Sequence, residues 1–223
     1  MFRKPIEAVL FDMDGLLLDT ESLYLQAMRT AARTFDREMS EAFCHSMIGV
    51  PGRDCDVMIQ DLYGPGFSLA EFRKRYSGII AQLLEASIPV KPGVVELLDF
   101  LDARGLPAAV ATSSRRVTAE HHLGRAGLLA RFKAMATIND VERAKPHPDI
   151  YLEAARRLGV SPEHCVAFED SSIGLTAAHA AGTMAILVPD ILPPTDEARA
   201  RCLHVAPDLH AALGLLRQGL PAG

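Results

Sequence analysis

The chain has 223 residues, a formal net charge of -5 and a hydrophobic share of 49%. That share supplies a substantial core and excludes a disordered chain, and the mild acidic balance lacks the concentrated basic face of a nucleic-acid binder. The length suits a main domain carrying a smaller inserted one. Cys44, Cys55, Cys165 and Cys202 form no C-x-x-C pair and no zinc-like spacing with histidine, so a reducing cytoplasm and no disulfide framework are expected. The N-terminal apolar run is cut at once by Asp12, too early for a signal peptide, and no later stretch is long enough to span a membrane.

In chain order, residues 6–11 form a short apolar run ending in acid and glycine, the pattern of a buried strand. Between Thr20 and Phe35, Leu23, Ala27, Ala31 and Phe35 recur at helical spacing, and more helix follows at about 54–63 and 69–86. Gly49-Val50-Pro51-Gly52 and Gly64-Pro65-Gly66 separate these helices, and no strand pattern occurs among them. From Pro92-Gly93 onward, helices and strands alternate. Helices are expected at 94–104, 115–126, 148–158 and 172–181, with strands at 107–111, 134–137, 165–168, 184–188 and, weakly, 203–205 before a last helix. This alternation predicts an α/β fold, a doubly wound parallel sheet with right-handed crossovers. The expected domains are a Rossmann-like core, 1–19 with 90–223, and an all-helical insert, 20–89.

Several expected strands stop on polar residues: Phe11 at Asp12, Ala111 at Thr112, and Phe168 at Glu169-Asp170. In a parallel sheet these ends share one edge, where open α/β folds bind ligands. One such aspartate is as often a plain turn residue; three strands doing this together, with Lys145 in the loop after 134–137, point to a site. Asp12, Asp14, Glu169 and Asp170 at one edge need a cation, because like charges about 4 Å apart repel by about 4 kcal/mol at an effective dielectric near 20. An all-oxygen cluster suits Mg²⁺. Thr112 and the backbone N–H groups of Ser113 and Ser114, at a helix mouth, suit an anion. A cation, an anion cradle and a carboxylate nucleophile together fit a phosphate ester.

The residues Asp12-Met13-Asp14-Gly15-Leu16-Leu17-Leu18-Asp19-Thr20 resemble the first motif of the haloacid dehalogenase superfamily. Ala111-Thr112-Ser113-Ser114, Lys145-Pro146-His147-Pro148-Asp149 and Phe168-Glu169-Asp170-Ser171 resemble its second, third and fourth motifs, in the same order and spacing. The helical insert is similar to the cap of the subfamily holding phosphoglycolate phosphatases, β-phosphoglucomutases and many sugar- and nucleotide-phosphate phosphatases. The resemblance implies that Asp12 is the nucleophile and a metal ligand, and that Asp14 is the acid/base and lends its carbonyl to Mg²⁺. It implies that Thr112 binds phosphate, that Lys145 neutralises charge, and that Asp170 binds the metal, with Glu169 a direct or water-mediated partner. Asp14 and Asp170 exclude the metal-free dehalogenase branch. Tyr24 stands where β-phosphoglucomutases carry a cap histidine, so a phosphatase is favoured over a mutase, with the pseudouridine-5′-phosphatase group the nearest in pattern.

In the insert, Arg53 is a candidate to hold a second anionic group of the substrate, against the alternative of a solvated arginine in a helix-helix turn. Lys74, within Arg73-Lys74-Arg75, has the same two readings. Ser171 and Ser172 read as helix N-caps, and Arg115-Arg116 as helix-surface charges or a weak phosphate attractor. His121, His122 and His147 read as surface or loop residues. The expectation is a cytoplasmic, monomeric, Mg²⁺-dependent phosphatase acting on a small phosphorylated metabolite, with neither nucleic acid nor membrane as partner. A phosphomutase and a non-catalytic phosphometabolite sensor are the alternatives.

Overall fold

The computed structural model describes residues 2–48 and 50–220; Gly49, within the expected loop before Arg53, lies outside them. The chain forms two compact units, one ending at Asp19 and resuming at Pro89, the other spanning Thr20–Ile88.

The first unit begins with β1 (Ala8–Phe11), and the second holds α1 (Thr20–Arg33), α2 (Glu41–Ser46), α3 (Gly52–Tyr63) and α4 (Leu69–Ala86). The first unit resumes with α5 (Val94–Ala103), β2 (Ala108–Ala111), α6 (Arg116–Arg125), β3 (Ala134–Ala136) and α7 (Asp149–Leu158). It ends with β4 (Cys165–Glu169), α8 (Ser172–Ala180), β5 (Met184–Leu187), α9 (Asp196–Arg201), β6 (His204–Val205) and α10 (Leu209–Gly219). No described helix is long and apolar enough to cross a membrane.

The six strands among the described residues form one sheet in the order β3-β2-β1-β4-β5-β6, parallel at every pairing. The strand order reverses direction around β1, placing its carboxyl end beside that of β4, the usual ligand crevice of such sheets. Every residue of β1, β2, β4 and β5 is buried, as a parallel sheet covered on both faces requires. The faces differ in bulk. Ala8, Ala109, Ala111, Ala136, Ala167 and Ala185 share a core with Ile150, Tyr151 and Ala154 of α7 and with Leu175 and Ala178 of α8. Small side chains there leave room for those helices. The other face carries larger groups, with the Phe11 and Phe168 rings 5.4 Å apart.

The helical unit has a core of its own, in which Ala31, Met39, Cys44, Ile59 and Phe72 are buried. At the exit and return of the chain, the Asp19 N–H donates to Pro89 O at 2.9 Å and the Lys91 N–H to Leu17 O at 3.0 Å. The expectation had no helix at α2 or α9. Each is six residues long, too short to show a full apolar period, and each is started by a capping hydroxyl, Ser40 or Thr195.

Asp140 fastens the segment after β3 to its surroundings. Its Oδ2 accepts from the Thr137 hydroxyl at 2.6 Å, the Thr137 N–H at 2.8 Å and Arg116 Nη2 at 2.7 Å, while Oδ1 accepts from Arg157 Nη2 at 2.7 Å. Burial pushes this carboxyl up, but Thr137, Arg157 and Arg116 outweigh burial and hold it well below the ordinary carboxylate range. A depressed folded value means stability that is present above the unfolded pKa of about 3.9 and lost as pH falls towards the folded one. Asp140→Asn should therefore lower stability at pH 7 by about 1–3 kcal/mol. In urea melts, the gap from wild type should narrow below about pH 4; a gap independent of pH would remove the ionised carboxylate from the explanation.

Candidate active site

The sheet ladder runs one residue past the strands and carries the polar groups with it. The Asp12 N–H donates to Phe168 O at 3.0 Å and the Thr112 N–H to Ala136 O at 3.0 Å. Asp12 is thereby held beside the end of β4, where Glu169 and Asp170 follow. Glu169 is fully buried, and Asp12 and Thr112 are 7% and 1% exposed. One carboxylate oxygen from each of Asp12, Glu169 and Asp170 lies within 4.8 Å of the others, a grouping able to hold a metal ion.

Lys145 enters this cluster from the loop before α7. Its ammonium donates to Asp12 Oδ1 at 2.5 Å and to Glu169 Oε1 at 2.6 Å, with 6% of the side chain exposed. Burial alone would lower the lysine, but Asp12 and Glu169 overcome it and raise it, so the ammonium stays charged. Burial pushes both the Asp12 and Asp170 carboxyls up, and each is raised further by its acidic neighbours against the pull of Lys145. Charge compensation by one lysine is therefore incomplete: three carboxylates share one ammonium.

The second half of the site is the loop between β2 and α6. The Ser114 hydroxyl donates to Asp14 Oδ2 at 2.7 Å, and the Ser114 N–H donates to Thr112 Oγ1 at 3.0 Å. The Ser114 N–H was expected to face an anion; it is turned onto Thr112 instead, and this orients the Thr112 hydroxyl proton away from Ser114. Gly15, at φ 81°, has the Asp170 carboxylate so close that a Cβ would overlap Oδ2, so only glycine lets the turn after Asp14 pass there.

Glu169 is held on all sides. Tyr151, on α7, donates its hydroxyl to Oε1 at 2.6 Å, and the Ser171 hydroxyl lies 3.2 Å from Oε2. Ser171 also caps α8, accepting from the Gly174 N–H at 3.1 Å, as its place before that helix suggested. Tyr151 is the group that reading the sequence missed. It lies six residues beyond Lys145, on the apolar face of an amphipathic helix, and was indistinguishable from a core aromatic.

The remaining candidates are described within their own elements. Arg53 is exposed in the first turn of α3, and Lys74 is exposed on α4 beside Arg73, which donates to Asp56 at 2.7 Å. Arg116 is spent on Asp140, and His121 and His147 are exposed. His122 corrects its expectation: it is 5% exposed on α6, and burial pushes its imidazole down. Helix spacing places position 122 on the same inward face as Ala119.

A family model described as haloacid dehalogenase-like hydrolase matches residues 9–188. The chain is 37% identical over 177 residues to a phosphorylated carbohydrates phosphatase of Thermotoga maritima, covering 79% of this chain and 82% of that one. It is 33% identical over 190 residues to hexitol phosphatase B of Escherichia coli, covering 83% and 85%. A solved HAD family hydrolase from Deinococcus radiodurans, with bound phosphate and sodium, superposes with a TM-score of 0.84 at 25% identity over 98% of this chain and 99% of that one.

The carboxylate of Glu169 rests against Gly174, where a Cβ would overlap it. Gly174→Ala should therefore lower stability by about 1–3 kcal/mol in urea unfolding, although alanine is the better helix former by about 1 kcal/mol; a stabilised variant would show that Glu169 has room to move. The matched model and the relatives place the chain in the haloacid dehalogenase-like hydrolase family.

Proposed function

We propose that this protein hydrolyses a small phosphomonoester, a sugar phosphate before a nucleotide-like one, through an aspartyl-phosphate on Asp12 and with Mg²⁺. The observation that carries the reading is the Asp12–Lys145–Glu169 contact set beside Asp170 at the carboxyl edge of the sheet. The names of the Thermotoga and Escherichia relatives support sugar phosphates as the substrate class.

The donor set fits a hard divalent cation. Asp12, Glu169 and Asp170 offer only oxygen, and three negative charges against one ammonium leave a deficit that a divalent ion closes. Asp12, Asp170 and the Asp14 carbonyl would hold Mg²⁺, with Glu169 direct or through water, and the ion would supply charge neutralisation to the phosphoryl oxygens. The chain's own groups do the rest. Thr112 and Ser113 bind the phosphoryl oxygens, and Lys145 neutralises charge and holds the Asp12 carboxylate in place. Asp12 attacks phosphorus, and the bond from phosphorus to the leaving oxygen breaks as Asp14 gives that oxygen a proton. Asp14, oriented by Ser114, then takes a proton from the water that attacks the phosphorus of the aspartyl-phosphate, returning the Asp12 carboxylate and inorganic phosphate. The helical unit acts as the cap that selects the leaving group, with Arg53 a contact for a second anion, and Tyr24 favours transfer to water over transfer within a sugar.

Asp12→Asn should remove turnover of sugar phosphates by at least about 10⁴-fold while orthovanadate binding survives. Chelation of Mg²⁺ should abolish phosphate release, and full activity without a divalent ion would overturn the reading. Asp14→Asn should slow breakdown of the phospho-enzyme in rapid-quench experiments; unchanged formation and breakdown would reassign the acid/base. Incubation with a hexose 1-phosphate separates the mutase reading, which yields isomerised sugar instead of free phosphate.

A further inference from the structure

Tyr151 touches the ammonium that compensates charge in the site and one of the carboxylates it compensates. It is fully buried in the first turn of α7. Its hydroxyl and the Lys145 ammonium donate to the same oxygen, Glu169 Oε1, each at 2.6 Å. The Lys145 nitrogen also stands 5.1 Å from the centre of the Tyr151 ring, within cation–π range. Glu169 Oε2 is turned the other way, towards the start of α8. It accepts from the Asp170 N–H at 3.2 Å, the Ser171 N–H at 3.4 Å and the Ser171 hydroxyl at 3.2 Å. Gly174 closes the remaining side.

Two donors meet Oε1 and three lie around Oε2, so the protein orients this carboxylate at both of its oxygens. A buried carboxylate with a missing donor draws harder on the partners it keeps, because its desolvation is then uncompensated. Here the remaining partner at Oε1 would be Lys145, whose other contact is Asp12 Oδ1 at 2.5 Å.

We propose that Tyr151 is a positioning residue for the phosphatase reaction, its hydroxyl satisfying Glu169 and its ring supporting Lys145, so that the ammonium is shared with Asp12 and not captured by Glu169. The inference rests on the phosphatase reading above and assigns Glu169 as the anchor of Lys145. It also separates Tyr151 from an ordinary core aromatic, for which only the ring matters.

Tyr151→Phe keeps the ring and removes the hydroxyl. With a sugar phosphate and saturating Mg²⁺, kcat per folded protein (folded fraction from circular dichroism) should fall about tenfold while KM changes less than about twofold, because the charge on phosphorus peaks in the transition state. Calorimetric titration of Mg²⁺ into metal-free protein should give a dissociation constant within about threefold of wild type, since the hydroxyl meets Glu169 and not the ion. In a Glu169→Gln background, where the carboxylate charge is gone, adding Tyr151→Phe should change kcat less than about twofold. A Tyr151→Phe variant with wild-type kcat overturns the proposal. So does an equal loss in both backgrounds, which marks plain packing, or a tenfold weakening of Mg²⁺ binding, which routes the effect of the hydroxyl through the ion and not through Lys145. A wild type that releases no phosphate from any substrate overturns the phosphatase reading instead, and this proposal with it.

Discussion

Everything at the carboxyl edge of this sheet depends on the Lys145 ammonium lying between Asp12 and Glu169. Carboxylates brought out of water repel one another and resist ionisation, and burial raises both Asp12 and Asp170. A nucleophilic carboxylate has to be ionised to attack. One buried ammonium, held charged by two acids, reduces the cost of that ionisation without abolishing it, and the proposed divalent cation would make up the shortfall.

The fold supplies this geometry by simple means. The strand order sets β1 and β4 side by side, so the residues that follow them are neighbours although more than 150 positions apart in the chain. Alanines on one sheet face admit α7, and the loop leading into that helix delivers Lys145 while its first turn delivers Tyr151. The Asp140 network ties the start of α6 to the end of β3 and to α7, so the loop carrying Thr112 and Ser114 and the loop carrying Lys145 share one support. Asp12, Thr112, Glu169, Asp170 and Tyr151 therefore sit on regular elements or one residue beyond them, where position is most sharply determined, while Asp14, Ser114 and Lys145 come from the connecting loops.

Much of this was legible in the residues alone. Apolar runs ending on Asp12, Thr112 and Glu169 announced both the parallel sheet and the edge that matters, because a buried strand tolerates such groups only where it stops. The longer helices showed their period, while α2 and α9 were too short to do so. Other features depended on tertiary contacts. No local pattern distinguishes the Tyr151 hydroxyl from a core phenol, or tells that the Ser114 N–H turns back onto Thr112. His122 looked like a surface residue because a pair of adjacent histidines reads as polar, yet helix geometry sends one of two neighbours inward.

Asp12, within the contact set at the sheet edge, is the residue on which we propose that the covalent intermediate forms. The most direct measurement is a rapid acid quench of the wild-type protein with a radiophosphate-labelled sugar phosphate, followed by peptide mapping. The account predicts acid-stable, hydroxylamine-labile label on the peptide containing Asp12, appearing before free phosphate and decaying as phosphate is released. Multiple turnovers with no label on that peptide, or label on another residue, would contradict it.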